Sequence, residues 1–369
     1  MKSERAAEWR PSDSANAIRN QVRGEKTTVN SFPAHYRTPN DWPLLPWPRG
    51  ELSGFVVSAL QREPGTLGVA PGLTGVDALG DDDFGLALYL CYELHYRKLA
   101  EPLWQFDPQL LGFRREMERA FVDQLREEIA RVAKRGSTDV TLALDELIQR
   151  SSKNLLSLYL TESGTLEQFR ELCVHHSAYQ LREADPSAYG MPGFADDATS
   201  TQTSDDAEGD IGAPSPSSLF GDTMVALGLD PSYGSYVENL PGVTLALVNL
   251  TSMFSVERKW RAALVGHIAV SDMTSSEPMY RYGQALIRFG VNWEGRRFYC
   301  MEANVGARHT AIARDRLVAG LIDSVPHLEA DLLFGAAALL LLEERFEKHL
   351  LDAWSQNRTS LVPWPVVDR

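Results

Sequence analysis

Cysteine is scarce in this chain of 369 residues: Cys91, Cys173 and Cys300 are the whole set. An odd, sparse set with no CxxC pair excludes a disulfide framework and a zinc knuckle, and it fits a reducing, cytoplasmic setting. Long apolar runs are missing too. The greasiest stretch, Ala336–Leu342, falls far short of the roughly 20 residues that span a bilayer, so no membrane partner is expected. The N-terminal MKSERAAEWRPSDS has no apolar core of a signal peptide. Basic residues are absent from Glu183 to Glu257, a stretch with twelve acids; outside it 38 acids meet 36 bases. The net charge of −14 therefore belongs to one segment. No basic footprint is left for a nucleic acid. Period-2 alternation is rare, which argues against sheets. GxGxxG with a following acid, GxxxxGK[ST], HExxH and GxSxG are all lacking, which disfavours phosphate-loop nucleotide binding, zinc proteolysis and serine hydrolysis.

What is present is helical periodicity over a 44% hydrophobic background. Residues 1–45 read as a polar, mobile arm. Residues 46–355 read as one all-α domain, a bundle of eight or more helices, and residues 356–369 as a C-terminal tail. Residues 187–217, containing ADDATSTQTSDDAEGDIGAPSPSS, carry too little apolar surface to offset their ordering entropy and read as a flexible acidic insert. Helices are expected at Glu51–Gln61, from Asp81–Asp83 onward through FGLALYLCYELHYR, and at Leu110–Lys134. Others are expected at Thr141–Ser151, Ser152–Glu162 and Thr165–Arg182, the last opening on capping-box spacing at Thr165 and Gln168. Further ones are Leu219–Leu227, Val243–Phe254, Val256–Asp272, Glu277–Phe289, Phe298–Arg314, Ala313–Val325 and His327–Trp354.

One stripe suggests chemistry. Glu302, Gly306 and His309 are spaced i, i+4, i+7, so they share a helix face. A carboxylate and an imidazole there could grip one cation; the plain alternative is two surface polar residues. Asp272, about thirty residues upstream, reads either as a further ligand or as a helix cap. His267 reads as a core or supporting imidazole. Glu93 and His95, on different faces of one helix, read as core residues satisfied by Tyr92 or Tyr96, or as support behind a metal site. Of His175 and His176, at most one is expected to face the core, because neighbours on a helix diverge by about 100°.

Longer phrases point further. LALYLCYELHYR, HSAYQLREADP, MVALGLDPSYGSYV, RAALVGHIAVSDMTSS, RYGQALIRFG and ADLLFGAAALLLLE resemble the bacterial iron-containing redox enzyme family, a branch of the haem-oxygenase-like superfamily related to the dimetal oxidases of that fold. The resemblance runs from about Leu44 to Glu344. It implies a haem-oxygenase-like helical bundle and a non-haem iron centre that activates O2. The family's ligands are a Glu and a His on one helix, a Glu on a later one, and His-x3-Asp-x2-His on a third. Carried over, the later Glu falls on Asp272 and the triplet on Glu302, Gly306 and His309. The first Glu and His fall near Asp206 and Pro216, in the altered insert. The resemblance thus implies at most one iron ion, at Asp272, Glu302 and His309 with Asp206 as a weak fourth candidate, and Glu93, His95 and His267 behind them. The expected activity is O2-dependent oxidation of a small molecule in the helical pocket. The alternative is a non-catalytic relative that binds a ligand or partner. The oligomeric state stays open, a homodimer included.

Overall fold

The computed structural model describes residues 44–65, 67–97, 99–132, 139–151, 154–182, 214–312, 318 and 325–363, with the backbone alone over 305–312. The expected arm before residue 44, most of the acidic insert with Asp206, and the expected helix Ala313–Val325 (apart from Val318 and Val325) lie outside these residues. Among the described residues there are eleven α-helices, a few short 3-10 turns and no strand, so the all-α expectation holds. None of the described helices is long and apolar enough to cross a membrane.

Three consecutive aspartates organise one end of the bundle. Helix α1 is Glu51–Leu60, α2 is Asp82–Tyr96 and α8 is Gly242–Val256. Asp81 caps its own helix, accepting from the Phe84 amide at 2.8 Å. Asp82 accepts from the Gly242 amide at the start of α8 at 2.6 Å. Asp83 accepts from the Leu52 and Ser53 amides at the start of α1 at 2.9 and 2.8 Å. The first amides of a helix have no partner within it, and a carboxylate there also meets the positive end of the helix dipole. One acidic triplet thus serves three helices.

The other helices follow the hydrophobic period closely. They are α3 (Pro108–Val132), α4 (Val140–Arg150), α5 (Leu155–Glu162), α6 (Leu166–Gln180) and α7 (Pro216–Ala226). The capping box at Thr165 and Gln168 is present. Pro216 occupies the first turn of α7, where its missing amide costs nothing. The chain then runs through α8 to α9 (Arg261–Arg288), α10 (Trp293–Ile312) and α11 (Glu329–Ser355). Gly290, at φ +76°, ends α9 while the Val291 amide reaches back to the Leu286 carbonyl at 3.0 Å. The core between α6, α7, α9 and α10 is a set of edge-to-face aromatics: Phe169 against Tyr282, Phe289 and Tyr299, and Phe220 against Phe298. Of the residues read as a C-terminal tail, Ser360 and Leu361 are buried, and the Ser360 amide and hydroxyl both donate to Glu171.

One expectation is overturned. The two helices expected at Val256–Asp272 and Glu277–Phe289 are a single 28-residue helix, α9, with Pro278 inside it. A proline in a helix interior removes one hydrogen bond and crowds the preceding turn, at about 3 kcal/mol. Burial on both sides of it outweighs this: Ala269 and Val270 before the proline, Tyr282, Ala285 and Leu286 after it. Asp272 is therefore a mid-helix residue and not a cap.

Candidate functional site

The bundle holds a partly open chamber of about 350 Å³. Its walls come from α5, α6, α8, α9 and α11, with Arg182 at one edge. On α9 the lining residues His267, Ser271, Thr274 and Pro278 recur at helical spacing, and on α11 so do Leu339, Glu343 and Phe346. A neighbouring cavity of about 280 Å³ shares Asn154, Thr274, Glu343 and Glu347 with the chamber and adds a polar rim of Ser151, Ser276 and Glu277.

The chamber opens beside the tightest contact in the bundle. At the crossing of α9 and α11, a Cβ on Gly266 would stand 2.0 Å from the Leu332 carbonyl oxygen and one on Gly335 1.9 Å from the Ala263 carbonyl oxygen. Only glycine allows two helix backbones to meet so closely. The chamber walls are the residues C-terminal to both glycines, where the two helices part.

Charge inside the chamber is one-sided. Glu343 is pushed up to about 7, first by burial of its surroundings and then by the nearby charge of Glu347. Burial depresses the imidazoles: His176 falls to about 3 and His267 to about 4, so both are neutral at physiological pH. His176 is 6% exposed, and its Nδ1 has no hydrogen-bond partner. His267 reaches the Thr251 hydroxyl at 3.4 Å through Nε2, and its Nδ1 has no partner. Burial also raises the Tyr179 and Tyr282 phenols, which stay protonated. Arg182 is engaged elsewhere: it donates to Glu93 at 3.3 Å, to the Tyr233 hydroxyl at 3.1 Å and to Ser252 at 3.3 Å.

The residues singled out from sequence fall in several places. Asp272 lies one residue, hence about 100°, off the α9 stripe that faces the chamber, and it lines neither cavity. Glu302 lines neither cavity, and no described residue of α10 does. Gly283 packs against Tyr299 and Cys300, which fixes the level of α9 against α10. Both Asp272 and Glu302 have partners within the fold. Positions 302, 306 and 309 do share the α10 backbone, but the His309 side chain lies outside the described residues, as does all of Asp206.

Glu93 and His95 are committed to buried networks. Glu93 pairs with Arg97 at 2.7 Å and with Arg182, and accepts from the Tyr233 hydroxyl at 2.8 Å. Its partners are thus two arginines and a distant tyrosine, where Tyr92 or Tyr96 was expected. Tyr92 donates instead to Glu118 at 2.9 Å. His95 Nε2 accepts from Arg114 at 2.8 Å, and burial, reinforced by that guanidinium, lowers it to about 4. The His175–His176 expectation is also corrected, because both rings are buried. α6 is covered on two faces: His175 lies between the Thr244 and Ser360 hydroxyls at 2.7 and 3.0 Å, while His176 faces the chamber.

Sequence reasoning missed Glu343, Glu347 and His176. A signal for the first two was present. Glu343 and Glu347 are spaced i, i+4 and share a face with Leu339 and Phe346, whereas Glu344 and Lys348 beside them are exposed.

A helical bundle around a small, partly charged chamber defines a class of ligand-holding α-domains, and one family comparison narrows it. Residues 170–344 match the family model described as iron-containing redox enzyme. The match runs from within α6 to Glu344 on α11, so it takes in four of the five helices that line the chamber. No curated protein matches the chain.

The family name implies iron. Among the described residues, no three His, Cys, Asp or Glu side chains converge to hold an ion. The His309 side chain and Asp206, which the resemblance adds to Asp272 and Glu302, lie outside those residues.

Proposed function

We propose that this protein is a divergent oxidoreductase of the iron-containing redox enzyme family that takes a small organic molecule into the chamber between α5, α6, α8, α9 and α11. The observation that carries the reading is the position of the chamber: most of its lining residues belong to the family-matched segment, and its walls combine apolar surface with a few polar groups, the usual build of a small-molecule site. Its own residues can do defined work. Leu247, Val248, Leu339 and Phe346 exclude water from the body of a guest. Glu343, near 7, can hold or release a proton at its carboxylate under physiological conditions. The neutral His176 ring forms part of the wall.

A second reading, binding without oxidation, is favoured by one observation: Asp272 and Glu302 line neither cavity. The two readings part in one experiment. The full chain is loaded with iron under anaerobic conditions, its metal content is measured, and it is then exposed to O2 with candidate small molecules while oxygen uptake and products are followed. Bound iron that is lost in Asp272→Ala and His309→Ala, together with an oxidised product, supports the oxidase. Saturable ligand binding with neither stoichiometric iron nor product overturns it in favour of the binding protein.

A further inference from the structure

We infer that the chamber takes a small uncharged alcohol or phenol, its hydroxyl paired with the Tyr282 phenol and the His176 ring and its apolar body lying against Leu247, Val248, Leu339 and Phe346. The inference rests on the reading of the chamber as the ligand site and names the chemistry of its guest.

Tyr282 stands apart from the other buried tyrosines. Among the described residues five tyrosines are buried. Four of them bond their hydroxyls within the fold. Tyr89 meets the Tyr233 hydroxyl at 3.4 Å, Tyr92 donates to Glu118 at 2.9 Å, Tyr236 accepts from the Asp230 amide at 2.8 Å, and Tyr299 meets the Cys173 thiol at 3.7 Å. Tyr282, 6% exposed, is the fifth. Its ring is fixed edge-on to Phe169 and Tyr299, with centroids 6.0 and 5.7 Å away. Its hydroxyl makes no hydrogen bond among the described residues, yet it is not sealed off, and Tyr282 lines the chamber. A buried phenol normally finds a partner. Here the partner comes from the chamber: a guest, or the water that a guest replaces.

His176 adds a second polar head beside it. This ring is also 6% exposed, lines the chamber and makes no hydrogen bond among the described residues. Nδ1 is sealed into the wall, so Nε2 is the nitrogen that a guest can reach. The Tyr282 and His176 ring centroids are 6.3 Å apart. A neutral imidazole nitrogen donates in one tautomer and accepts in the other, and a phenol does both. A guest hydroxyl also does both, so it matches the pair in either tautomer. A carbonyl only accepts and an ammonium only donates, so each matches the pair in one tautomer alone.

The chamber also favours the neutral forms of its own titratable groups. Burial is the first cause that pushes Glu343 up to about 7 and lowers His176 to about 3 and His267 to about 4. Surroundings that resist charge on a side chain resist it on a guest by the same desolvation cost. The arginine in the lining, Arg182, donates to Glu93, Tyr233 and Ser252. About 350 Å³ is near the lower end of small-molecule pockets, which limits the guest to a short aliphatic chain or a single ring.

The test uses the full chain and four probes of nearly one shape in calorimetric titration at pH 7: 1-phenylethanol, acetophenone, ethylbenzene and 1-phenylethylamine. The alcohol is expected to bind saturably and most tightly, with the other three weaker by about three- to tenfold, the scale of one lost neutral hydrogen bond. Tyr282→Phe removes the hydroxyl and keeps the ring. It is expected to lower alcohol affinity by the same factor and to leave ethylbenzene affinity and thermal unfolding unchanged, because the hydroxyl holds nothing else in the described fold. Another probe binding as tightly as the alcohol, undiminished alcohol binding in Tyr282→Phe, or an equal loss of alcohol and ethylbenzene overturns the inference while leaving the chamber as the ligand site. Saturable binding of none of the four overturns the chamber reading with it. Binding is the readout throughout, so the outcome does not depend on iron or on oxygen uptake.

Discussion

Gly266 and Gly335 sit where α9 and α11 touch backbone to backbone, each facing a carbonyl of the other helix at a distance no side chain could share. The contact sets where the two helices begin to part, and the chamber occupies the space beyond. A methyl group on Gly335 has nowhere to go, because the atoms it would meet are main chain. Gly335→Ala is expected to cost about 2–3 kcal/mol despite the better helix propensity of alanine, since overpacking of backbone outweighs that gain. Urea denaturation of the variant checks this; unchanged stability would mean that the crossing is looser than the structure shows.

Glu343 ties stability to pH. Its folded-state value near 7 lies above the ordinary 4.5, so the folded chain holds this proton more tightly than the unfolded one. Its contribution is favourable when protonated and is lost as pH rises from about 4.5 through 7. The groups facing it are Glu347 on α11, His176 and Tyr179 on α6, and His267 and Tyr282 on α9. Both imidazoles, at about 3 and 4, stay neutral across that window. Glu343→Gln is expected to be more stable than the parent chain at pH 8 by about 1–2 kcal/mol and to lose that advantage at pH 5. Thermal unfolding at both pH values reads the difference, and an advantage that does not change with pH would contradict the assignment.

Glu93 is the one carboxylate shared by Arg97, Arg182 and Tyr233, at 0% exposure. Replacing it with Ala leaves two buried guanidinium groups without their anion. A loss of about 3–5 kcal/mol is expected. Glu93→Ala combined with Arg182→Met should recover part of that loss, because the second change removes one stranded charge. A double variant no better than the single one would show that Arg182 draws its stability from Tyr96, over whose ring it lies at 4.5 Å, and from Ser252.

Asp83 caps α1 from outside that helix. Asp83→Ala is expected to cost about 1–2 kcal/mol and to increase hydrogen exchange first at the Leu52 and Ser53 amides. Exchange that rises evenly over the whole chain would instead indicate global destabilisation.

The sequence carried the helices well because their signals are local. Thr165 with Gln168, Gly228 and Gly290 mark ends that depend on a few neighbouring residues, and those ends are where they were expected. The break expected between Asp272 and Glu277 is absent: the local penalty of Pro278 is real, and contacts with residues far along the chain override it. The site was less legible. The stripe at 302, 306 and 309 is a true helix face, but its place in the bundle is set by α7 and α9, which spacing along one helix does not encode. Glu343 and Glu347 do not stand out in the sequence, because Glu344, Arg345 and Lys348 surround them. Which acids turn inward is decided by how α11 lies against α9, and the crossing glycines that determine it are 69 residues apart in the sequence, at 266 and 335.

The aspartate triplet has a consequence for the order in which the chain can be assembled. Asp82 and the Gly242 amide it holds are separated by 160 residues, while Asp83 and Leu52 are separated by 31. On a ribosome adding about 5–20 residues each second, the first pair of helices is complete many seconds before its third companion has been synthesised. Through that interval the α2 surface destined for α8 stays uncovered, with Gly85 and its neighbours open to other nascent chains. Slow growth through the middle of the message would lengthen this exposure, so codon usage or chaperone supply over that stretch bears directly on the yield of native protein.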